Sequence, residues 1–370
     1  MTKRKDRGVT RHTRSEFLKM AAASAALVSA GGCAAARGES TGQGRVRTLR
    51  VAAPLEEPVW VPGKMVLIAK VGGEPRLARI QPAARRARTL LSGAIAGMGS
   101  NADVDPESGG DVYVPQTPRD RILVLSTDDL RERDAIEDVP SPAKISVHPG
   151  SKTIFTLNPA GTRLTPVDLY TSDITPGVGK PAIRRTVEAM GGGAGADIRA
   201  PARNIDPTVW VGGKAGLGYY QGKPYPVEKE SAVSRRARTF AVDMVKDTRA
   251  YVGPSGSSEL LRIELNPATR QLQVTARMKT GSPVEYIAVD ENRVYAATGR
   301  ELIALRADNF LGVAGFKEIE TIPFRRNLGK GPLASAPLSG LATGNDTHEV
   351  YLTFRDRPYV AAILKPNDSL

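Results

Sequence analysis

From Thr48 onward the chain reads as short apolar or alternating runs closed by turn residues. Ile145-Ser146-Val147, a His148-Pro149-Gly150 turn and then Thr153–Leu157 predict a β-hairpin. A second hairpin is predicted over Tyr286–Val289 and Arg293–Ala297, turned at Asp290-Glu291-Asn292 and continued after Gly299 by Leu302–Leu305. Further strands are expected at Asp111–Val114, Ile122–Leu125, Thr239–Val242, Ala250–Val252, Leu260–Leu265, Val350–Phe354 and Tyr359–Leu364. The periodicity of a long amphipathic helix is absent, so the predicted fold class is all-β.

Internal repeats turn these strands into an architecture. Pro58-Val59-Trp60-Val61-Pro62-Gly63-Lys64 returns as Thr208-Val209-Trp210-Val211-Gly212-Gly213-Lys214, which sets the only two tryptophans 150 positions apart. Arg85-Arg86-Ala87-Arg88-Thr89-Leu90 returns at the same offset as Arg235-Arg236-Ala237-Arg238-Thr239-Phe240, and we read the two matches as a duplicated half. Ser141-Pro142-Ala143-Lys144-Ile145 and Ser282-Pro283-Val284-Glu285-Tyr286 correspond at an offset of 141, with Gly97 to Gly110 as the natural place for the extra residues of the first half. Dividing roughly 320 residues by the ~40–50 of a four-stranded blade predicts a seven-bladed β-propeller of antiparallel blades, six and eight remaining open. The blade bodies fall at 54–90, 91–140, 141–197, 198–238, 239–281, 282–331 and 332–370. Leu49-Arg50-Val51-Ala52 is expected to supply the outer strand of the last blade, closing the ring so that no sheet edge is exposed. The propeller domain is expected over 48–370.

The N-terminus has a different grammar. A basic stretch leads into Phe17-Leu18-Lys19, an apolar segment from Met20 to about Ser29, and then Ala30-Gly31-Gly32-Cys33, the layout of a signal peptide. The apolar segment is too short for a bilayer span, which takes about 20 residues. Thr13-Arg14-Ser15-Glu16-Phe17-Leu18-Lys19 resembles the twin-arginine export motif, with Ser15 where the second arginine belongs, so the choice between twin-arginine and general secretory export stays open. Ala30-Gly31-Gly32-Cys33 resembles a bacterial lipobox, with Ala30 where Leu or Val is usual. The resemblance implies that residues 1–32 are a removed signal peptide and that Cys33 becomes the lipidated first residue, anchored to the outer face of the cell membrane. Residues 33–47, rich in Gly, Ser, Thr and Arg, then read as lipidated Cys and flexible tether. Cys33 is the only cysteine, which rules out a disulfide within the chain.

Charge adds a partner class. The formal net charge is +13, and residues 1–33 hold seven Lys and Arg against Asp6 and Glu16, leaving the mature chain near +8. An exported domain of this sign is drawn to anionic envelope polymers or headgroups. Its basic residues are scattered along the sequence and lack stacking aromatics, so no nucleic-acid partner is expected. The expected partners are the membrane, through the anchor, and an envelope protein or anionic polymer, with the protein itself a monomer.

The hairpins resemble the extracellular YVTN-type and lactonase-like propellers, on Pro142 with His148-Pro149-Gly150, on Asp111-Val112-Tyr113-Val114, and on Pro283 with Val294-Tyr295. That resemblance implies a fold and carries no function. Of the three histidines, His12 lies in the signal region, and His148 and His348 form no i, i+3 or i, i+4 metal pair and read as solvated turn residues. There is no Gly-x-Ser-x-Gly elbow. Gly191-Gly192-Gly193-Ala194-Gly195 lacks the preceding strand and following Lys-Ser/Thr of a phosphate loop and reads as a flexible loop. Gluconolactonase-like propellers hold calcium with acidic side chains at inner-strand ends, and by that resemblance Glu57, Asp206, Asp243 and Glu285 are candidate channel carboxylates with Ca2+ as candidate ion. Two functions follow. One is a non-enzymatic binding or scaffolding module of the cell envelope, without a cofactor. The other is a metal-dependent propeller enzyme, of lactonase or lyase type, acting on a small polar substrate. A quinone-cofactor dehydrogenase has less support, because the repeated tryptophan-docking motifs of that family are not recognisable.

Overall fold

The computed structural model describes residues 44–82, 87–105, 109–169, 181–201, 206–222, 228–307, 315–328 and 331–367. Residues 1–43, Cys33 among them, lie outside the described residues. Gly42–Leu370 is one compact unit, and its strands form the expected seven-bladed β-propeller of four-stranded antiparallel blades. The innermost strands of blades 1 to 7 are Leu55–Val61, Asp103–Val104, Lys144–His148, Asp197–Arg199, Ala237–Val242, Val284–Val289 and Leu338–Ala342. All begin on one face of the ring, here called the mouth face, and turn into the second strand of their blade on the opposite, turn face. In blade 3 the outer strand comes in two pieces, Ala182–Ile183 and Val187–Glu188, both paired with Arg163–Asp168.

Blade 7 is completed from the other end of the chain. Val46–Arg50 pairs with Arg357–Leu364, Val46 opposite Ile363 and Arg50 opposite Tyr359. This strand starts three residues before Leu49, where it was expected, because Val46 and Leu49 both have apolar partners to bury against. Leu364 N–H donates to the Arg45 carbonyl at 2.9 Å and Lys365 N–H to that of His348 at 2.9 Å, so the chain enters the ring from the turn face.

The core is divided into wedges. Seven hydrophobic clusters lie among the described residues, one between each pair of neighbouring blades. A middle strand is therefore buried on both sides: Trp210 and Tyr219 face blade 5, while Val209, Val211 and Tyr220 face blade 3. This two-sided burial explains the unbroken apolar runs of the second strands, since strict alternation belongs to sheets with one wet face.

The 150-residue repeat does not survive. Trp60 lies on the first strand of blade 1, whereas Trp210 lies on Thr208–Gly212, the second strand of blade 4. Likewise Arg88–Leu91 is an outer strand and Ala237–Val242 an innermost one. The 141-residue offset does relate equivalent elements, the innermost strands of blades 3 and 6. A β-branched residue, a Trp and a glycine turn mark a tight hairpin without saying which hairpin of the blade it is.

On the turn face, buried polar side chains fix the first hairpin of several blades. Asp243, fully buried, accepts from the N–H groups of Val245 and Lys246 at 3.0 Å each and from the Tyr251 hydroxyl at 2.8 Å, with Arg249 Nη1 at 3.4 Å. Asp290 does the same in blade 6 with Asn292, Arg293 and Tyr295, and Lys365 Nζ adds a 2.8 Å ion pair. His148 occupies this position in blade 3. It is fully buried rather than solvated, its Nδ1 accepts from Ser151 N–H at 3.1 Å, and the neutral ring therefore carries its proton on Nε2, facing Thr208 Oγ1 at 3.5 Å. His348 is exposed. The glycine run at 191–195 is also more than a loop: a Cβ on Gly191 would sit 2.9 Å from Gly218 N, and one on Gly192 would collide with the Gly161 carbonyl, so the run is a close backbone junction of blades 3 and 4.

Removing the Asp243 carboxylate takes the acceptor from two turn N–H groups and from the Tyr251 hydroxyl, and takes one of two carboxylate partners from the buried Arg249, which keeps Glu264. Asp243→Ala is expected to destabilise the fold by about 3 kcal/mol in denaturant unfolding. A loss below about 0.5 kcal/mol, the usual range of a surface change, would refute the turn-fixing role.

Candidate functional site: the channel mouth

Every innermost strand contributes to a central channel with a cavity of about 250 Å³. That volume suits a small polar molecule or a group of waters rather than a bulky enclosed substrate. Its wall is apolar along much of its length, from Val59, Val147, Ala241, Ile287 and Leu341, and its charge is gathered near the strand starts.

Arg199, at the end of the short Asp197–Arg199 strand, is the centre of that charge. Its guanidinium lies 2.8 Å from Asp197 of its own blade and 3.7 Å from Glu57, which comes from blade 1 on the far side of the ring. Asp197 is also held by Lys144 of blade 3 at 3.3 Å. Asp103 of blade 2 accepts from the N–H groups of Val104 and Val147 at 2.9 Å each, stitching blade 2 to blade 3. The channel mouth is thus spanned by a charge network drawn from four blades.

The backbone aims Glu57 into it. The pairing of the first two strands of blade 1 shifts register between Glu56 and Val59, and Glu57 takes a left-handed φ of +47°. Such bulges re-aim a side chain at the rim of a sheet. The register also shifts at the start of the innermost strands of blades 5, 6 and 7, skipping Arg238, Glu285 and Ser339. At the blade 1 bulge Pro58 presses on blade 7 so closely that Gly340 has no room for a Cβ.

Electrostatics separate these acids. Enclosure in the ring, then the neighbouring Asp197 charge, push the Glu57 carboxyl above its ordinary value against the pull of Arg199 and Lys144. Burial likewise pushes Asp103 up, opposed by its backbone N–H partners. Burial acts upward on Asp197 too, but Arg199 and Lys144 outweigh it and hold that carboxyl below the usual range. Burial lowers Arg199, and Asp197, Glu57 and Asp103 more than restore it, so it stays charged. Burial and then the Glu57 charge push the nearby Tyr286 phenol up to about 12. Glu57 and Arg199 are each 35 % exposed, since the channel is open to water, and this screens their interaction. Their 3.7 Å contact is the loosest link in the network, the one a ligand carrying both a cationic and an anionic group would replace.

The four carboxylates singled out in the sequence do not converge. Glu57 and Glu285 share the mouth face, Glu285 lying 4.0 Å from Arg238 in its own rim pair. Asp206 precedes the second strand of blade 4 and so lies toward the turn face, and Asp243 is the buried turn acid of blade 5. Asp206 was placed near an inner-strand start, but the innermost strand of blade 4 is Asp197–Arg199 and Asp206 follows it. Among the described residues no group of three His, Cys, Asp or Glu side chains is placed to hold a metal ion. Lys144, Asp197, Arg199 and Asp103 were not identified from sequence, although Lys144, Asp197 and Asp103 begin innermost strands and Arg199 ends one. A boundary drawn at residue 198 separated Asp197 from Arg199, and a search for acids alone passed over the two cations.

No protein-family model matches the chain, and no curated protein does. Its likeness is to solved structures. A chain of the mitotic checkpoint complex is 10 % identical, with a TM-score of 0.62 over 91 % of this chain and 96 % of that one. U3-55K is 9 % identical, with a TM-score of 0.60 over 87 % and 99 %. A catalytically inactive virginiamycin B lyase from Staphylococcus aureus, solved with quinupristin, is 12 % identical, with a TM-score of 0.59 over 87 % and 99 %. At these identities the likeness shows the β-propeller fold, and proteins this different in role share it.

The opposed shifts at the mouth give opposite signs on mutation. Glu57 ionises at a cost to the fold, so Glu57→Gln is expected to raise the melting temperature at pH 7, the gain vanishing below its ordinary value of about 4.3. Asp197 contributes stability as an anion, so Asp197→Asn is expected to lose about 1 kcal/mol at pH 7 and to converge with wild type only below about pH 3.9. Melting temperatures of both variants across acid pH check this, and shifts of the same sign at pH 7 would refute the network.

Proposed function

We propose that this protein is a lipoprotein of the bacterial cell envelope, exported behind residues 1–32, anchored through Cys33, and acting as a non-enzymatic binding module that presents its channel-mouth face to an envelope partner. The observation that carries the reading is Cys33 itself, the single cysteine of 370 residues, at the end of a basic, then apolar, then small-residue leader. The fold adds a direction. The chain enters the ring at Arg45 and Val46 on the turn face, and on this reading that is the anchored side and the mouth, with Glu57 and Arg199, is the side presented to a partner.

The test is metabolic labelling with a palmitate analogue in a bacterial host, followed by membrane fractionation. Wild type is expected to take up label and sediment with membranes, and Cys33→Ala to lose the label and appear in the soluble exported fraction. A Cys33→Ala protein that remains membrane-bound with unchanged labelling would overturn the anchor.

A further inference from the structure

The fold gathers arginines that are scattered in the sequence. Arg235 and Arg236 lead into the first strand of blade 5, and Arg238 is skipped by the bulge at its start. Arg300 lies in the turn between the second and third strands of blade 6, Arg326 in the connection to blade 7, and Arg355 in the matching turn of blade 7. All six are therefore on the mouth face, along one arc of the ring. Contacts tie the arc together. Arg238 lies 4.0 Å from Glu285, a Cβ on Gly299 would lie 3.2 Å from the same carboxylate, and Arg325 Nε donates to the Gly299 carbonyl at 2.8 Å. Arg355 N–H donates to Pro337 O at 2.8 Å, and its charge acts on Tyr286 at the channel mouth.

Five of the six, Arg238 aside, have no ion-pair partner among the described residues. All six are exposed, and they outnumber the acids interspersed with them, Glu259, Glu285, Glu301 and Asp356. Among the described residues the mouth face of blades 1 and 2 carries local pairs, Arg76 with Glu74 and Arg121 with Glu137, with the exposed Arg119 beside them. Guanidinium groups left unpaired on a rigid rim match a chain of regularly repeated anionic groups, each accepted by an arginine fork. Among the described residues the exposed large apolar side chains, Met65, Leu90, Met190 and Leu364, all lie off this arc, so the arc offers charge rather than apolar surface.

We propose that the arginine arc of blades 5 to 7 is a docking surface for an anionic glycopolymer of the cell envelope, with repeating phosphodiester charge. This deepens the binding-module reading, on which it rests for its envelope setting. The direction of the anchor favours the polymer over a lipid surface, since the arc lies on the face opposite the point where the chain enters the ring.

The experiment measures binding of the full chain carrying Cys33→Ala to soluble poly(glycerol phosphate), so its result does not depend on lipidation. Binding is expected at low salt and to weaken as salt is raised. The triple variant Arg235→Gln/Arg236→Gln/Arg238→Gln is expected to lose about tenfold in affinity, and the control Arg76→Gln/Arg119→Gln/Arg163→Gln to change less than about twofold. Equal losses in the two triples, or no binding by a protein whose anchor is confirmed by labelling, would overturn the arc while leaving the lipoprotein reading intact. Tighter, arc-dependent binding to single-stranded DNA or to phosphatidylglycerol vesicles would overturn the choice of glycopolymer.

Discussion

The pairing of Val46–Arg50 with Arg357–Leu364 is the interaction on which the ring depends. Blades 7 and 1 are the two ends of the chain's circuit, and this strand, from the start of the chain, is the fourth strand of a blade whose other three come from its end. The same strand brings Leu49 into the cluster that joins blades 7 and 1, beside Trp60 and Tyr351, whose rings stack with centroids 5.3 Å apart. Trp60 Nε1 also donates to Asp346 of blade 7 at 2.6 Å, and that carboxylate takes Gly63 N–H at 2.7 Å. Closure is thus made twice, by a backbone ladder at the rim and by an anchored tryptophan nearer the axis.

Closure fixes the spacing of the innermost strands, and the spacing makes the site. Glu57 and Arg199 come from blades on opposite sides of the ring and meet only because the channel width matches the summed reach of a glutamate and an arginine. The strain of a left-handed Glu57 is held by the packing of Pro58 against Gly340 of blade 7, at the same seam that the closing strand seals. The charge network is therefore coupled to ring closure through a single bulge.

Much of the fold was legible. Strand positions followed from turn residues and apolar runs, and the count of blades from length divided by blade size. The expected strands at Thr153–Leu157 and Leu260–Leu265 are found within one residue. Blade register was harder, because the second and third strands of a blade are both largely buried and carry similar residues. Trp60 and Trp210 show this: both seal a junction between blades, and yet they stand on different strands. Of the site, Glu57 was legible by its place at an inner-strand start. Arg199 was not, because its strand has three residues and the partner that gives it meaning is 142 positions away.

The acids of this protein divide by face, and the division is a matter of solvent. On the turn face Asp243 and Asp290 are buried and consumed by N–H groups, tyrosine hydroxyls and the Arg249 and Lys365 cations, which fix hairpins. On the mouth face Glu57 and Glu285 stay partly exposed beside arginines at contact distances of 3.7 and 4.0 Å. Pairs that loose and that wet contribute little to stability, unlike the 2.8 Å contact of Arg199 with Asp197, which serves the fold. On the proposed reading, charges that the fold does not use are the ones open to a partner, and here they lie around the mouth of the channel.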